Sequence, residues 1–239
     1  MKKIKSGLNI VLFILLILVG LSLIFNKSIR NMMIANKTNS YLVSNYDSDS
    51  LKKNLDKEAD FNFEQVESVD FSSVVSSQTQ QNFPVIGGMA IPDVGINLPI
   101  FLGLNSDALL YGAGTMKENQ EMGKGNYALA SHHVFSIAGA SELLFSPLTE
   151  AKENMKIYLT DKEKVYQYVI DKIYTVNPEE VTIIEDHEGE KEITLVTCTD
   201  AAATARLIVH GKLEKTFSFS KSPSEVISAF EMKYNQFQS

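Results

Sequence analysis

The chain has 239 residues, 44% of them hydrophobic, with 22 Lys and Arg against 29 Asp and Glu, one Cys, four His and no Trp. That length holds one large or two small domains with ample core. The net charge of −7 argues against a nucleic-acid partner, and a lone Cys excludes a disulfide framework or a multi-Cys metal site.

Lys2, Lys3 and Lys5 precede a run without charge from Ser6 to Asn26. As a helix, those 21 residues would reach about 31 Å, the thickness of a bilayer core. The run leaves through Leu23, Ile24 and Phe25, too bulky for the small-residue site of a cleaved signal peptide. The sequence therefore predicts a cytoplasmic tail over 1–7 and an uncleaved transmembrane signal-anchor over 8–25. The basic start favours an inside N-terminus, although Lys27 and Arg30 follow the span closely. The expected location is the cell membrane, single-pass, with the bulk of the chain outside.

Residues 26–82 are polar and Ser- and Asn-rich, and 41–82 carries eight acids against three lysines. This composition reads as a solvated acidic stalk with some helix between Ser50 and Glu67. The alternative is a helical appendage packed on the domain.

From 83 to 239 short apolar runs alternate with turn residues. Strands are expected at Ile86–Ile91, Ile96–Phe101, Asn126–Ser131, Lys156–Leu159, Val165–Val176, Glu192–Thr199 and Arg206–Leu213, with a Pro92–Gly95 turn joining the first two. Short helical pieces fit Ser141–Glu153. A C-terminal helix fits Ser222 as N-cap with Pro223 and Glu225 behind it, its apolar face formed by Val226, Ile227, Phe230 and Tyr234. The fold class is all-β, a closed barrel or sandwich with few helices.

Nucleotide signatures fail: Gly112-Ala113-Gly114 lacks the later Gly of a dinucleotide loop, and Gly123-Lys124-Gly125 has no Ser or Thr after the Lys. No Gly-x-Ser-x-Gly elbow surrounds Ser131. Cys198 remains. A free thiol is commonly buried and inert; here Arg206 stands eight residues on at the start of the next strand, and His132 and His133 end another. A catalytic Cys needs thiolate character, a proton donor for the leaving group and positive or N–H groups at the oxyanion. Cys, His and Arg suffice for that set.

Ala128-Leu129-Ala130-Ser131-His132-His133, Thr194-Leu195-Val196-Thr197-Cys198 and then Arg206 resemble the signature positions of class A sortases, the housekeeping sortases of Gram-positive bacteria, streptococcal ones in particular. Gly88–Pro92, Leu98–Ile100 and Tyr111–Thr115 are similar too, so the likeness spans about 83–215. The resemblance implies a closed eight-stranded β-barrel with short helices and a membrane-bound cysteine transpeptidase. By it, Cys198 attacks the Thr–Gly carbonyl of a Leu-Pro-x-Thr-Gly (LPxTG) signal on a surface protein. His132 protonates the leaving amine and then takes a proton from an incoming amine of lipid II or peptidoglycan. Arg206 orients the substrate and stabilises the oxyanion. The competent state pairs thiolate with imidazolium, held by a fraction of molecules near neutral pH. His133 is the rival for the acid–base role; His132 matches the small-small-His pattern.

The resemblance also makes 176–184 the loop over the signal. Val176, Pro178, Val181, Ile183 and Ile184, with Ala130, Val196 and Thr197, are then the substrate-binding residues, although the apolar ones read equally as barrel core. No cofactor is expected. The loop Leu104–Gly112, matched to a calcium-binding loop of some members, holds only Asp107, so no metal is expected. The rival functions are another cell-wall thiol transpeptidase or amidase, and an anchored β-barrel binding module with an inert thiol.

Overall fold

The computed structural model describes residues 2–61, 71–78, 83–135 and 140–233. Eight strands close into one barrel: β1 Val85–Ile91, β2 Ile96–Phe101, β3 Ala113–Thr115, β4 Gly125–Ala130, β5 Lys156–Thr160, β6 Lys164–Val176, β7 Lys191–Cys198 and β8 Arg206–Ser218. Their order round the barrel is β1-β2-β3-β4-β7-β8-β6-β5. The β2–β3 and β4–β7 pairs are parallel and the remainder antiparallel. β1 and β2 are buried along their whole length, which is why their sequences read as continuous apolar runs. The turn between them is a 3-10 turn over Pro92–Val94 closed by Gly95 at φ +72°, a left-handed position that favours Gly.

The barrel interior is filled by Met89, Ile91, Ile100, Leu129, Ile157, Tyr168, Leu195 and Val209, among others. β3 was not foreseen as a strand; three residues are too short for a periodic signal. β8 runs five residues beyond its expected end, because Glu214–Ser218 is mostly exposed and lacks an apolar pattern, yet pairs with β6 through Ser218.

Helices pack outside. α1 covers Lys2–Ile24, α2 Asn26–Tyr41, α3 Ser48–Leu55, α4 Phe71–Ser77, α5 Ser106–Leu109 and α6 Ser224–Glu231. Among the described residues no single helix is long and apolar enough to cross a membrane. Asn9–Ile24 with Ser28–Tyr41 passes only as a pair bent by 71°.

The solvated-stalk reading needs correction over its described part. Ile34, Thr38 and Tyr41 of α2, Leu51 of α3 and Val74 of α4 are buried, and all of these except Thr38 belong to the same apolar core as the barrel. A stripe of about one buried residue per turn is enough to dock a helix, and the average over 26–82 dilutes it. Asp47 caps α3 by accepting from the Ser50 N–H at 2.7 Å, Asn54 donates to the Val85 carbonyl at 2.8 Å, and Lys52 pairs with Glu163. Beyond α3 the Leu104 N–H donates to the Asp60 carbonyl at 2.6 Å. α3 ends at Leu55 and residues 56–61 are turn and irregular chain, so the expected helix stops there; its last part, 62–67, lies outside the described residues.

At the C-terminus α6 starts one residue later than expected, with Pro223 at the N-cap. The Ser222 hydroxyl donates back to the Ser218 carbonyl instead of capping. Val226 and Phe230 are buried, and Asn97 closes the helix end by donating to the carbonyls of Phe230 and Met232 at 3.1 and 2.7 Å. Tyr234 lies outside the described residues. Two 3-10 turns, Ala140–Glu142 and Ser146–Glu150, stand where short helices were expected.

Candidate active site

The site forms where β4 and β7 end and β8 begins. Cys198 and Arg206 are direct partners across the antiparallel β7–β8 pair. The parallel β4–β7 pair matches Ala130 to Val196, and the Ser131 N–H extends it by donating to the Val196 carbonyl at 3.2 Å. His132 therefore leaves β4 at the level of Cys198. Its carbonyl accepts from the Phe145 N–H at 3.0 Å, while its ring is buried and its Nε2 has no hydrogen-bond partner among the described residues.

His133 is differently occupied. Its Nδ1 donates to the Cys198 carbonyl at 2.9 Å, and its ring stacks on Phe135 with centroids 3.9 Å apart. Since a carbonyl only accepts, this bond places the proton on Nδ1 of a neutral ring.

Along β7 the side chains alternate. Ile193 and Leu195 join the barrel core, and Thr197 shares their face, its hydroxyl donating to the Ser131 carbonyl at 2.9 Å. Thr194, Val196 and Cys198 share the other face. There a second apolar cluster collects Leu104, Leu109, Met116, Ala128, Val196 and Ile208, with Ala130, Val176, Ile183 and Ile184 packed against it. Five of the eight expected substrate-binding residues thus meet: Ala130, Val176, Ile183, Ile184 and Val196. Pro178 and Val181 lie exposed on the β6–β7 loop, Val181 at 66%, and Thr197 is set apart on the core-facing side. Leu104, Leu109, Met116, Ala128 and Ile208 were missed. Ala128 and Ile208 were reachable by strand alternation, two residues from Ala130 and Arg206; Leu104 and Met116 lie in loops and Leu109 ends the four-residue α5, none of which sequence periodicity orients.

A family model described as a sortase domain matches residues 89–214. Sortase A of Streptococcus agalactiae is 53% identical over 98% of this chain and 97% of its own length. Sortase A of Listeria monocytogenes is 37% identical over 87% of this chain and 92% of its own. The chain belongs to the sortase family. A crystal structure of the Listeria monocytogenes sortase A superposes with a TM-score of 0.57 at 39% identity, covering 62% of this chain and 99% of that one. With these relatives the protein is a class A sortase, a cysteine transpeptidase.

In the sortase, burial pushes the Cys198 thiol above its ordinary value; the Arg206 guanidinium pulls it down and the Asp200 carboxylate pushes it up. Burial alone depresses the His132 imidazole to about 4. Both shifts favour the uncharged forms, a thiol and a neutral imidazole. Arg206 is steered by the β7–β8 loop, its Nη1 donating to the carbonyls of Ala203 and Ala205 at 2.9 and 3.4 Å. Asp200 folds that loop by accepting from the N–H groups of Ala202 and Thr204 and from the hydroxyls of Thr199 and Thr204. These bonds hold its carboxyl below the usual range, those from Thr204 foremost. Ala203 accordingly takes a left-handed φ of +56°.

The sortase's β6–β7 loop is braced on the far side of the apolar cluster. The Lys117 ammonium and the Asn126 N–H both bind Asp186 Oδ1, at 2.6 and 2.7 Å, and lower its pKa, the lysine foremost. His187 Nδ1 meets Glu192 at 2.7 Å. Among the described residues no three His, Cys, Asp or Glu side chains gather into a group that could hold a metal ion. The Leu104–Gly112 stretch instead carries α5 and contributes Leu104 and Leu109 to the cluster.

Proposed function

We propose that this sortase cleaves an LPxTG-type signal of surface proteins between Thr and Gly and joins the acyl part to an amine of lipid II or peptidoglycan. The Cys198 thiol gives its proton to His132 as Sγ attacks the Thr carbonyl carbon, and the oxygen takes up negative charge beside the Arg206 guanidinium. The C–N bond to Gly breaks, His132 gives its proton to the departing amine, and a thioester on Cys198 remains. The incoming amine adds to the thioester carbonyl and passes a proton back to His132. The thiolate of Cys198 then leaves as the new amide closes.

The observation that carries this reading is the buried Nε2 of His132, without a hydrogen-bond partner among the described residues, at the level of a Cys–Arg strand pair. A buried polar nitrogen without a partner is costly, and a substrate or leaving amine is the partner it lacks. The prior engagement of His133 with the Cys198 carbonyl favours His132 for proton transfer. The apolar cluster that begins beside the thiol suits the Leu and Pro of an extended peptide, whose ring lowers the entropy lost on binding. Pro178, Val181 and Thr197 join the groove only through loop closure or backbone contact.

The same proposal places residues 1–7 inside the cell, uses 8–25 as the anchor and sets the barrel outside. The exposed apolar side chains from Ile10 to Phe25, 45–74% accessible, favour a lipid environment for α1.

The test is incubation of the full chain in detergent with an LPxTG peptide and hydroxylamine. We expect cleavage at Thr–Gly with hydroxamate formation, none in Cys198→Ala, and a loss of about 100-fold or more in Arg206→Ala. His132→Ala should be inactive while His133→Ala retains turnover; the opposite result exchanges their roles. Unchanged turnover in Cys198→Ala overturns the mechanism.

A further inference from the structure

Asn126 lies on β4 two residues before Ala128 and four before Ala130, on the strand face that carries the groove floor. It is 1% exposed, and its whole side chain is spent on the loop and strand that bound the groove. Nδ2 donates to the Ile183 carbonyl at 3.0 Å and to the Glu185 carbonyl at 3.3 Å, while Oδ1 accepts from the Thr194 hydroxyl at 2.8 Å. The backbone N–H of Asn126 donates to Asp186. Thr194, fully buried on β7, reaches the Ile183 carbonyl as well at 3.4 Å.

This pair is out of keeping with its surroundings. Its neighbours on the same face are Ala128 on β4 and Val196 on β7, both in the apolar cluster. A barrel wall there needs no amide, and a buried amide is tolerated only when its partners are in place. Here those partners are carbonyls of the loop whose next side chains, Ile183 and Ile184, form the opposite wall of the groove. The first half of the same loop is exposed from Asn177 to Thr182. Among the described residues the loop is fastened to the barrel at its second half, and Asn126 with Thr194 is the inner fastening.

We infer that Asn126 is a positioning residue for substrate recognition: through Ile183 and Glu185 it sets the distance between the β6–β7 loop and the groove floor, so that the Leu and Pro side chains of the signal enter a preformed pocket. The inference rests on the LPxTG reading above. Asn126 touches neither the thiol nor the peptide; it acts on ground-state binding, which a preformed wall favours because the loop's ordering cost is met before the peptide arrives. Loosening the fastening should therefore raise KM and spare the chemical step at saturation.

The discriminating variant is Asn126→Asp in the full chain. It keeps the shape but replaces the amide NH2 and its two donors with one carboxylate oxygen facing the Ile183 and Glu185 carbonyls, which pushes the loop away. We expect KM for an LPxTG peptide to rise about tenfold or more, with kcat within about threefold of the parent, and amide exchange at 183–186 to accelerate. Thr194→Val, which removes one hydroxyl at constant shape, should raise KM about threefold, and Thr194→Ser should restore the parent values. A folded Asn126→Asp with parental KM, or one that loses kcat at constant KM, overturns the inference. Should Asn126→Asp fail to fold, the Thr194→Val and Thr194→Ser pair decides alone, and equal KM values in both overturn it. A parent enzyme that cleaves no LPxTG peptide defeats the functional reading instead; the exchange rates at 183–186 then still decide whether Asn126 holds the loop.

Discussion

His132 carries a stability consequence besides its chemical one. Its imidazole is held at about 4 in the folded chain against an ordinary 6.5, with burial the sole cause. As pH falls, the unfolded chain takes up this proton first. The stabilisation from a neutral buried ring is complete above about pH 6.5, declines through the window, and is gone below about pH 4. Between pH 7 and 4.5 that amounts to roughly 2 kcal/mol, or about 5 °C in melting temperature for a chain of this size. Thermal melts of the parent and of His132→Gln at both pH values should show the larger drop in the parent. His133 is shifted in the same direction and cancels in the comparison. Equal drops would mean that His132 is not buried as a neutral ring. At this scale the juxtaposition of Cys198 and Arg206 was legible for a definite reason: they flank one connection between paired strands, so their order in sequence sets their pairing across the sheet. Asn126 was not legible. An Asn on a strand gives no sign of its partners until a loop 57 residues on is folded over it.

At the scale of elements, the barrel and its N-terminal helices are one packed unit, and the joint between them is a close fit at Gly88. A Cβ on Gly88 would lie 2.5 Å from Cγ1 of Val43, which follows α2 and is buried. Gly88→Ala should therefore cost about 1–3 kcal/mol in urea unfolding of the full chain, the range for overpacking a filled site. An unchanged midpoint would show that the segment after α2 yields at no cost and is only loosely joined to β1. This joint also explains the misread stalk. Leu51 stands alone among Ser, Asp and Lys, and Val43 and Val74 sit in short apolar runs of three and two residues within polar sequence; composition alone cannot distinguish a helix docked through one residue per turn from a solvated one. The strands were easier to read because burial on both faces makes β1 and β2 continuous apolar runs. β3 and the end of β8 take their strand character from pairing with neighbours, which leaves no local pattern.

At the scale of the molecule, the question is how the barrel is held relative to what α1 enters. α2 starts two residues after α1 ends, is bent from it by 71°, and already buries Asn31 and Ile34. No long free tether separates the apolar helix from the packed unit, so an α1 seated in a bilayer, as proposed above, would hold the barrel close to that surface rather than at the end of a stalk. Yet α1 gives the unit nothing in return: no side chain described between Asn9 and Phe25 is buried. Anchoring and chemistry should therefore separate cleanly. A chain of 26–239 should stay in the supernatant when phospholipid vesicles are sedimented, whereas the full chain should pellet with them. Both should cleave a soluble LPxTG peptide with kcat/KM within about twofold, because removal of α1 takes no contact from the groove or from Cys198, His132 and Arg206. A truncated chain that still pelleted would move the membrane contact onto α2 or the barrel. A truncated chain that lost cleavage would make α1 part of the folded unit, despite its uniformly exposed apolar surface.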